Sequence, residues 1–89
     1  MMSELSITPE SLTAAAGEFH TAGDDLLAIL KRLDETTGGL QEQWEGAAQQ
    51  AFFKKYQELR QYMEAFSILL DHISTEMNAM AERYDSADQ

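Results

Sequence analysis

Apolar side chains recur at every seventh position through most of the chain, and that spacing leaves room for little besides long packed helices. Leu12, Phe19, Leu26, Leu33 and Leu40 form one series, with Ala15, Ala22 and Ile29 three residues after its first three members. Phe52, Leu59, Phe66, Ile73 and Met80 form a second, and Tyr56, Met63, Leu70, Met77 and Tyr84 a third, four residues on. A helix turning about 100° per residue gathers each set on one stripe, and neither half shows the two-residue alternation of a strand. Sustained over about four heptads, the spacing is that of a coiled-coil seam.

The helix boundaries follow from the residues that start and stop helices. Pro9 is the one proline and suits the first helical position, with Thr8 as its N-cap and Glu10 at the positive end of the dipole. Between the halves, Gly38, Gly39 and Gly46 each weaken a helix. The seam runs on through Leu40, which places the reversal nearer Trp44 to Gly46, with Gly38-Gly39 as the alternative turn. The expected organisation is one all-α domain over 1–89: a helix over about 9–41, a turn over about 42–46, a helix over about 47–85 and a short tail, 86–89.

A short connection makes the two helices antiparallel neighbours. Folding about Trp44 sets Leu33 near Tyr56 and Leu59, Leu26 near Tyr62 and Met63, Phe19 opposite Leu69 and Leu70, and Leu12 opposite Met77. The small Ala14-Ala15-Ala16-Gly17 stretch then lies opposite bulkier residues of the second helix. One hairpin cannot cover so wide an apolar stripe, and uncovered patches of that size mark interfaces. The expectation is therefore an antiparallel helix–turn–helix hairpin that dimerises into a four-helix bundle, with a second copy or a paralogue as partner. The seam residues expected to form that core are Leu12, Phe19, Leu26, Leu33, Phe52, Leu59, Phe66, Ile73 and Met80.

Sixteen acidic residues against six basic ones give a formal net charge of −10, which repels nucleic-acid phosphate and anionic lipid headgroups. The bland account of that charge is solubility of a sticky bundle. No cysteine is present, which removes disulfides, thiolate metal sites and cysteine nucleophiles together. His20 could pair with Asp24 and His72 with Glu76 at helical spacing. A di-iron bundle needs Glu three residues before each His, where this chain has Gly17 and Leu69, so no metal or other cofactor is expected. No nucleophile–base–orienter set or phosphate-cradling loop is visible, so the chain is not expected to be an enzyme. Met63, Met77 and Met80 read as core filling. The stretch from Met1 to Ile7 has neither the basic nor the apolar region of a general secretory signal peptide, and no apolar run is long enough to cross a bilayer.

Trp44-Glu45-Gly46 is a Trp-X-Gly tripeptide near the middle of a short helical hairpin, and Tyr84-Asp85-Ser86-Ala87-Asp88 fits the pattern Tyr-X-X-X-Asp/Glu. With both motifs, the heptads on either side and the short chain, the sequence resembles the WXG-hundred family of small proteins exported by type VII secretion. The resemblance covers nearly the whole chain; it departs from some relatives in a shorter tail, since only Gln89 follows the second motif.

The resemblance implies dimeric hairpins in Gram-positive bacteria, with a cytoplasmic pool before export. Export would be of the folded protein, without signal-peptide cleavage, through a membrane-bound FtsK/SpoIIIE-type ATPase. It also implies that Trp44 and Gly46 form one half of an export signal and Tyr84 and Asp88 the other, the turn of one subunit lying near the C-terminal motif of its partner. Read without the resemblance, Trp44 closes the end of a bundle, Gly46 is conformational, Tyr84 ends the core and Asp88 is a solvated tail residue. Two other functions compete with a secreted partner protein. One is a membrane-active effector whose amphipathic helices insert at low pH, where protonated carboxylates repel headgroups less; the other is an intracellular adaptor.

Overall fold

The computed structural model describes residues 7–87. Two helices make up the chain in the order α1 (Pro9–Gln43) and α2 (Ala47–Ala87). They pack antiparallel as a rod measuring 65 × 20 × 18 Å.

Helix α1 begins where its capping residues dictate. The Thr8 hydroxyl accepts a hydrogen bond from the Ser11 amide at 3.0 Å, and the Thr8 amide donates to the Ser11 hydroxyl at 3.0 Å. This reciprocal box satisfies two donors that a helix start leaves without partners. The helix runs through Gly38 and Gly39 without a break and ends at Gln43, with Trp44 extended as its C-cap. The reversal therefore falls at Trp44 to Gly46 and not at the paired glycines.

The register follows from contacts across the pair. Ser74 Oγ donates to the Ala16 carbonyl at 2.8 Å, and Gly23 lies over Ser67, where an added Cβ would stand 3.4 Å from the Ser67 carbonyl oxygen. Folding about Trp44 anticipates this register to within a residue or two. The packing within it differs from expectation. The buried positions are mostly small: Ala16, Gly23 and Thr37 beside Leu30 on α1, and Ser67, Ser74 and Ala81 beside Tyr56 on α2. Small contact residues let two helix backbones approach closely. The buried hydroxyls are satisfied locally, Thr37 by the Leu33 carbonyl at 2.9 Å and Ser67 by the Glu64 carbonyl at 2.9 Å. Among the described residues no buried side-chain polar atom lacks a partner.

The larger residues are displaced to the flank of this seam. Leu12, Phe19, Leu26, Leu33, Ile73 and Met80 are half-buried, whereas Phe52, Leu59 and Phe66 are exposed in the single hairpin.

Candidate functional site

Three features stand out along the rod: the tip, the far end and one long face. At the tip, Gly46 takes φ +106°, the left-handed region that a side chain rarely enters. Its carbonyl accepts from the Gln50 amide at 3.1 Å, so this glycine caps the start of α2. The Trp44 ring folds back over the first turns of α2, 5.5 Å from the Phe52 ring and 6.4 Å from that of Phe53. Phe52 meets Phe53 edge-on at 5.1 Å and lies nearly parallel to Tyr56 at 6.4 Å. The Trp-X-Gly tripeptide thus builds both the reversal and an aromatic cluster in which Trp44 is half-buried. The heptad series alone did not reveal that cluster; the adjacent Phe52-Phe53 pair was its signal.

At the far end Tyr84 lies in the last turns of α2 with 48% of its surface exposed. Asp88 lies outside the described residues. The fold places Trp44 and Tyr84 at opposite ends of the molecule and does not bring them together within one hairpin.

The long face follows from helical geometry. Relative to the small seam, the series Leu12 to Leu40 and the series Phe52 to Met80 each turn to one flank. In an antiparallel pair the reversal of chain direction and the reversal of facing cancel, so both flanks lie on the same side of the rod. That side exposes Ile29, Leu40, Phe52, Leu59, Phe66 at 53% and Tyr62 at 74%. Such a contiguous apolar strip is uncommon on a monomer.

The opposite side is mainly polar and carries two clips between the helices. Near the tip, Asp34 accepts from the Tyr56 hydroxyl and from Arg60, Nε at 3.1 Å and Nη2 at 3.0 Å, while Arg60 Nη1 lies 2.9 Å from Glu64. The Arg60 guanidinium, and then the Tyr56 hydroxyl, hold the Asp34 carboxyl below the usual carboxylate range. Burial, and then the bond to Asp34, push the Tyr56 phenol up. Farther along, His20 Nδ1 stands 2.9 Å from Asp71 of α2 and its Nε2 3.5 Å from Asp24. The bond to Asp71, and then the charge of Asp24, hold the imidazolium above the ordinary histidine value. The His20–Asp24 spacing was visible in the sequence; Asp71 was not, since it lies 51 residues away. Opposite ring nitrogens face opposite carboxylates, so the three groups do not converge on one point. No cluster of three or more His, Cys, Asp or Glu among the described residues is placed to hold a metal ion. No helix among them is long and apolar enough to cross a membrane.

A two-helix hairpin reversed on Trp-X-Gly, with a small-residue seam and one broad apolar face, defines a recognisable class of small helical protein. The family described as "Proteins of 100 residues with WXG" matches residues 4–89, and the chain belongs to this WXG100 family. It is 29% identical to protein YukE of Bacillus subtilis, over 96% of this chain and 88% of that protein. It is 28% identical to type VII secretion system extracellular protein A of Staphylococcus aureus, over 99% of this chain and 91% of that one. Among solved structures it is similar to EsxA of Geobacillus thermodenitrificans, with a TM-score of 0.84, 32% identity and coverage of 93% and 90%. It is likewise similar to the secreted protein EsxB of Bacillus anthracis, with a TM-score of 0.86, 31% identity and coverage of 93% and 94%.

Proposed function

We propose that this protein is a substrate of a type VII secretion system, exported as a folded dimer without signal-peptide cleavage and acting through protein–protein contact. The observation that carries the reading is the Trp44-Glu45-Gly46 reversal itself. It has a conformation that requires glycine and an aromatic cluster built on it, in a chain similar along its length to a type VII secretion system extracellular protein.

The dimer closes the apolar face. Two such faces meeting antiparallel bury Phe52, Leu59, Tyr62 and Phe66 of both copies and make a four-helix bundle. A second copy is the simplest partner, and a paralogue with a matching face fits the same geometry. The export signal is composite: Trp44 and Gly46 at one subunit's tip beside Tyr84 and Asp88 at the other subunit's end. Its reader is an FtsK/SpoIIIE-type ATPase of the secretion machine, and the cytoplasm holds the dimer until export.

The test is export of Tyr84→Ala and Asp88→Ala variants, measured in culture supernatant beside circular dichroism and light scattering of the purified proteins. Folded dimers that stay inside the cell are expected. Normal secretion of the folded double variant would refute the signal and leave the hairpin without this function.

A further inference from the structure

The side of the rod facing away from the broad apolar strip is polar except at one place. Leu27 on α1 and Ile68 on α2 are 48% and 70% exposed, and among the described helical residues they are the large apolar ones exposed on that side. They flank the seam where Gly23 lies over Ser67, the closest approach for which a glycine supplies the space. The missing side chain leaves the floor of an open groove of about 280 Å³, lined by His20, Gly23, Asp24, Leu27, Ile68 and Asp71 among others.

The groove has an ordered pattern along the rod. Each helix contributes one aliphatic residue and, three positions farther from the reversal, one aspartate: Leu27 with Asp24 on α1, Ile68 with Asp71 on α2. Three residues is about one helical turn, so the aliphatic pair and the carboxylate pair form two adjacent steps. His20 lies between the two carboxylates, bonded to Asp71 and paired with Asp24. Two carboxylates share one imidazole, so the step is negative whether or not that ring is protonated. Arg60 is engaged by Asp34 and Glu64, and Lys31 lies two turns beyond Asp24, so neither neutralises the step.

We infer that this groove is a second docking surface, one that takes a helical segment of another protein presenting an aliphatic side chain with a lysine or arginine one turn away. The aliphatic side chain seats between Leu27 and Ile68, and the cation lies over Asp24 and Asp71. Charge complementarity selects the partner: an acidic segment meets repulsion, and an apolar segment without a cation leaves the carboxylates unused. The surface lies opposite the face assigned to dimerisation, so a dimer displays it twice, once on each side.

The experiment uses the full chain, isotopically labelled, and a synthetic Ala-rich helical peptide bearing one Leu with Arg one turn to either side. Two control peptides replace the Arg residues by Glu, or the Leu by Ser. The basic Leu peptide should shift the amide resonances of Gly23, Asp24, Leu27, Ile68 and Asp71, weakening as salt is raised. Ile68→Ser, and separately Asp24→Asn, should raise its Kd at least about tenfold while leaving dimer mass and circular dichroism unchanged. Those last two measurements keep failure of the groove distinct from failure of the dimer. Equal binding of the Glu peptide, or shifts centred on Leu59 and Phe66, would overturn the inference. So would a groove that gathers only further copies of this chain.

Discussion

Trp44 and Tyr84 stand at opposite ends of the hairpin, joined by one continuous helix. At about 1.5 Å per residue that helix holds them roughly 60 Å apart, most of the 65 Å length of the rod. No bend brings them together, because α2 is unbroken from Ala47 to Ala87. Any recognition element that uses both residues must draw them from two chains, and the chain then cannot present it alone.

Dimerisation through the broad face makes the first prediction. Phe66 is exposed in the single hairpin, so its replacement by Asp removes little intramolecular packing. In a dimer the same carboxylate would be buried unpaired, at a cost of about 3 kcal/mol or more, which weakens Kd by more than about 100-fold. Sedimentation equilibrium should show Phe66→Asp as a monomer. Ile68→Asp, on the opposite side, should remain dimeric. A dimeric Phe66→Asp would place the interface elsewhere.

The tip supplies the second prediction. Trp44 is half-buried against Phe52 and Phe53, so Trp44→Ala should cost less than the roughly 3–5 kcal/mol of a fully buried ring, about 1–2 kcal/mol. Gly46→Ala forces a side chain into a left-handed conformation and should cost about 1–3 kcal/mol. Gly38 and Gly39 sit inside α1 with nothing within 4 Å of an added Cβ. Replacing either by Ala should stabilise by up to about 1 kcal/mol, because the helix loses a flexible residue. Urea denaturation of the variants orders them, and a stabilised Gly46→Ala would show that the turn imposes no constraint.

Much of this architecture is legible in the sequence, and the part that is not has a definite cause. Heptads, the Thr8-Pro9 start and the glycine of the turn fix two helices, their reversal and their register. The spacing does not say which of several seven-residue series faces inward within a hairpin. Large side chains suggest themselves, but of these only Leu30 and Tyr56 are buried among the described residues; the other buried positions, Ala16, Gly23, Thr37, Ser67, Ser74 and Ala81, are small residues recurring at the same interval. Small residues predominate because they let the two backbones approach closely, which turns most of the large ones to the flank. The clips were illegible for another reason. Asp34 and Arg60 are 26 residues apart and His20 and Asp71 are 51, and charged residues are common enough that only the final register selects those pairs.

The two clips respond to pH in opposite senses, which makes the third prediction. The imidazolium of His20 is held above its ordinary value of about 6.5 by Asp71 and then Asp24. Its contribution is therefore fully present below about pH 6.5 and is lost as pH rises through the raised folded value. The Asp34 carboxyl is depressed by Arg60 and then Tyr56. Its contribution is present above about pH 3.9 and is lost as pH falls through the depressed value. Thermal unfolding of the wild type should show a small drop in Tm as pH rises above about 6.5, absent in His20→Gln. The acid limb should be shallower in Asp34→Asn. A His20→Gln protein that retains the full alkaline drop would assign it to another group.

The last prediction returns to the separation of Trp44 and Tyr84 and asks whether export reads them jointly across two subunits. In an antiparallel dimer each end would combine one subunit's Trp44 with the other's Tyr84. Consider a heterodimer in which one chain carries Trp44→Ala and the other Tyr84→Ala. One end then loses both residues, but the other end keeps both intact. Now pair a doubly substituted chain with a wild-type chain. The total number of substitutions is the same, yet each end keeps only one of the two residues. A composite signal therefore predicts export of the first heterodimer and retention of the second, with both equally folded, since the substitutions are identical in number and kind. Tagging the two chains differently and isolating doubly tagged dimers from supernatant and cell pellet makes the comparison. Equal export of the two heterodimers would show that the residues are read separately, and equal retention would show that both ends of the dimer must be complete.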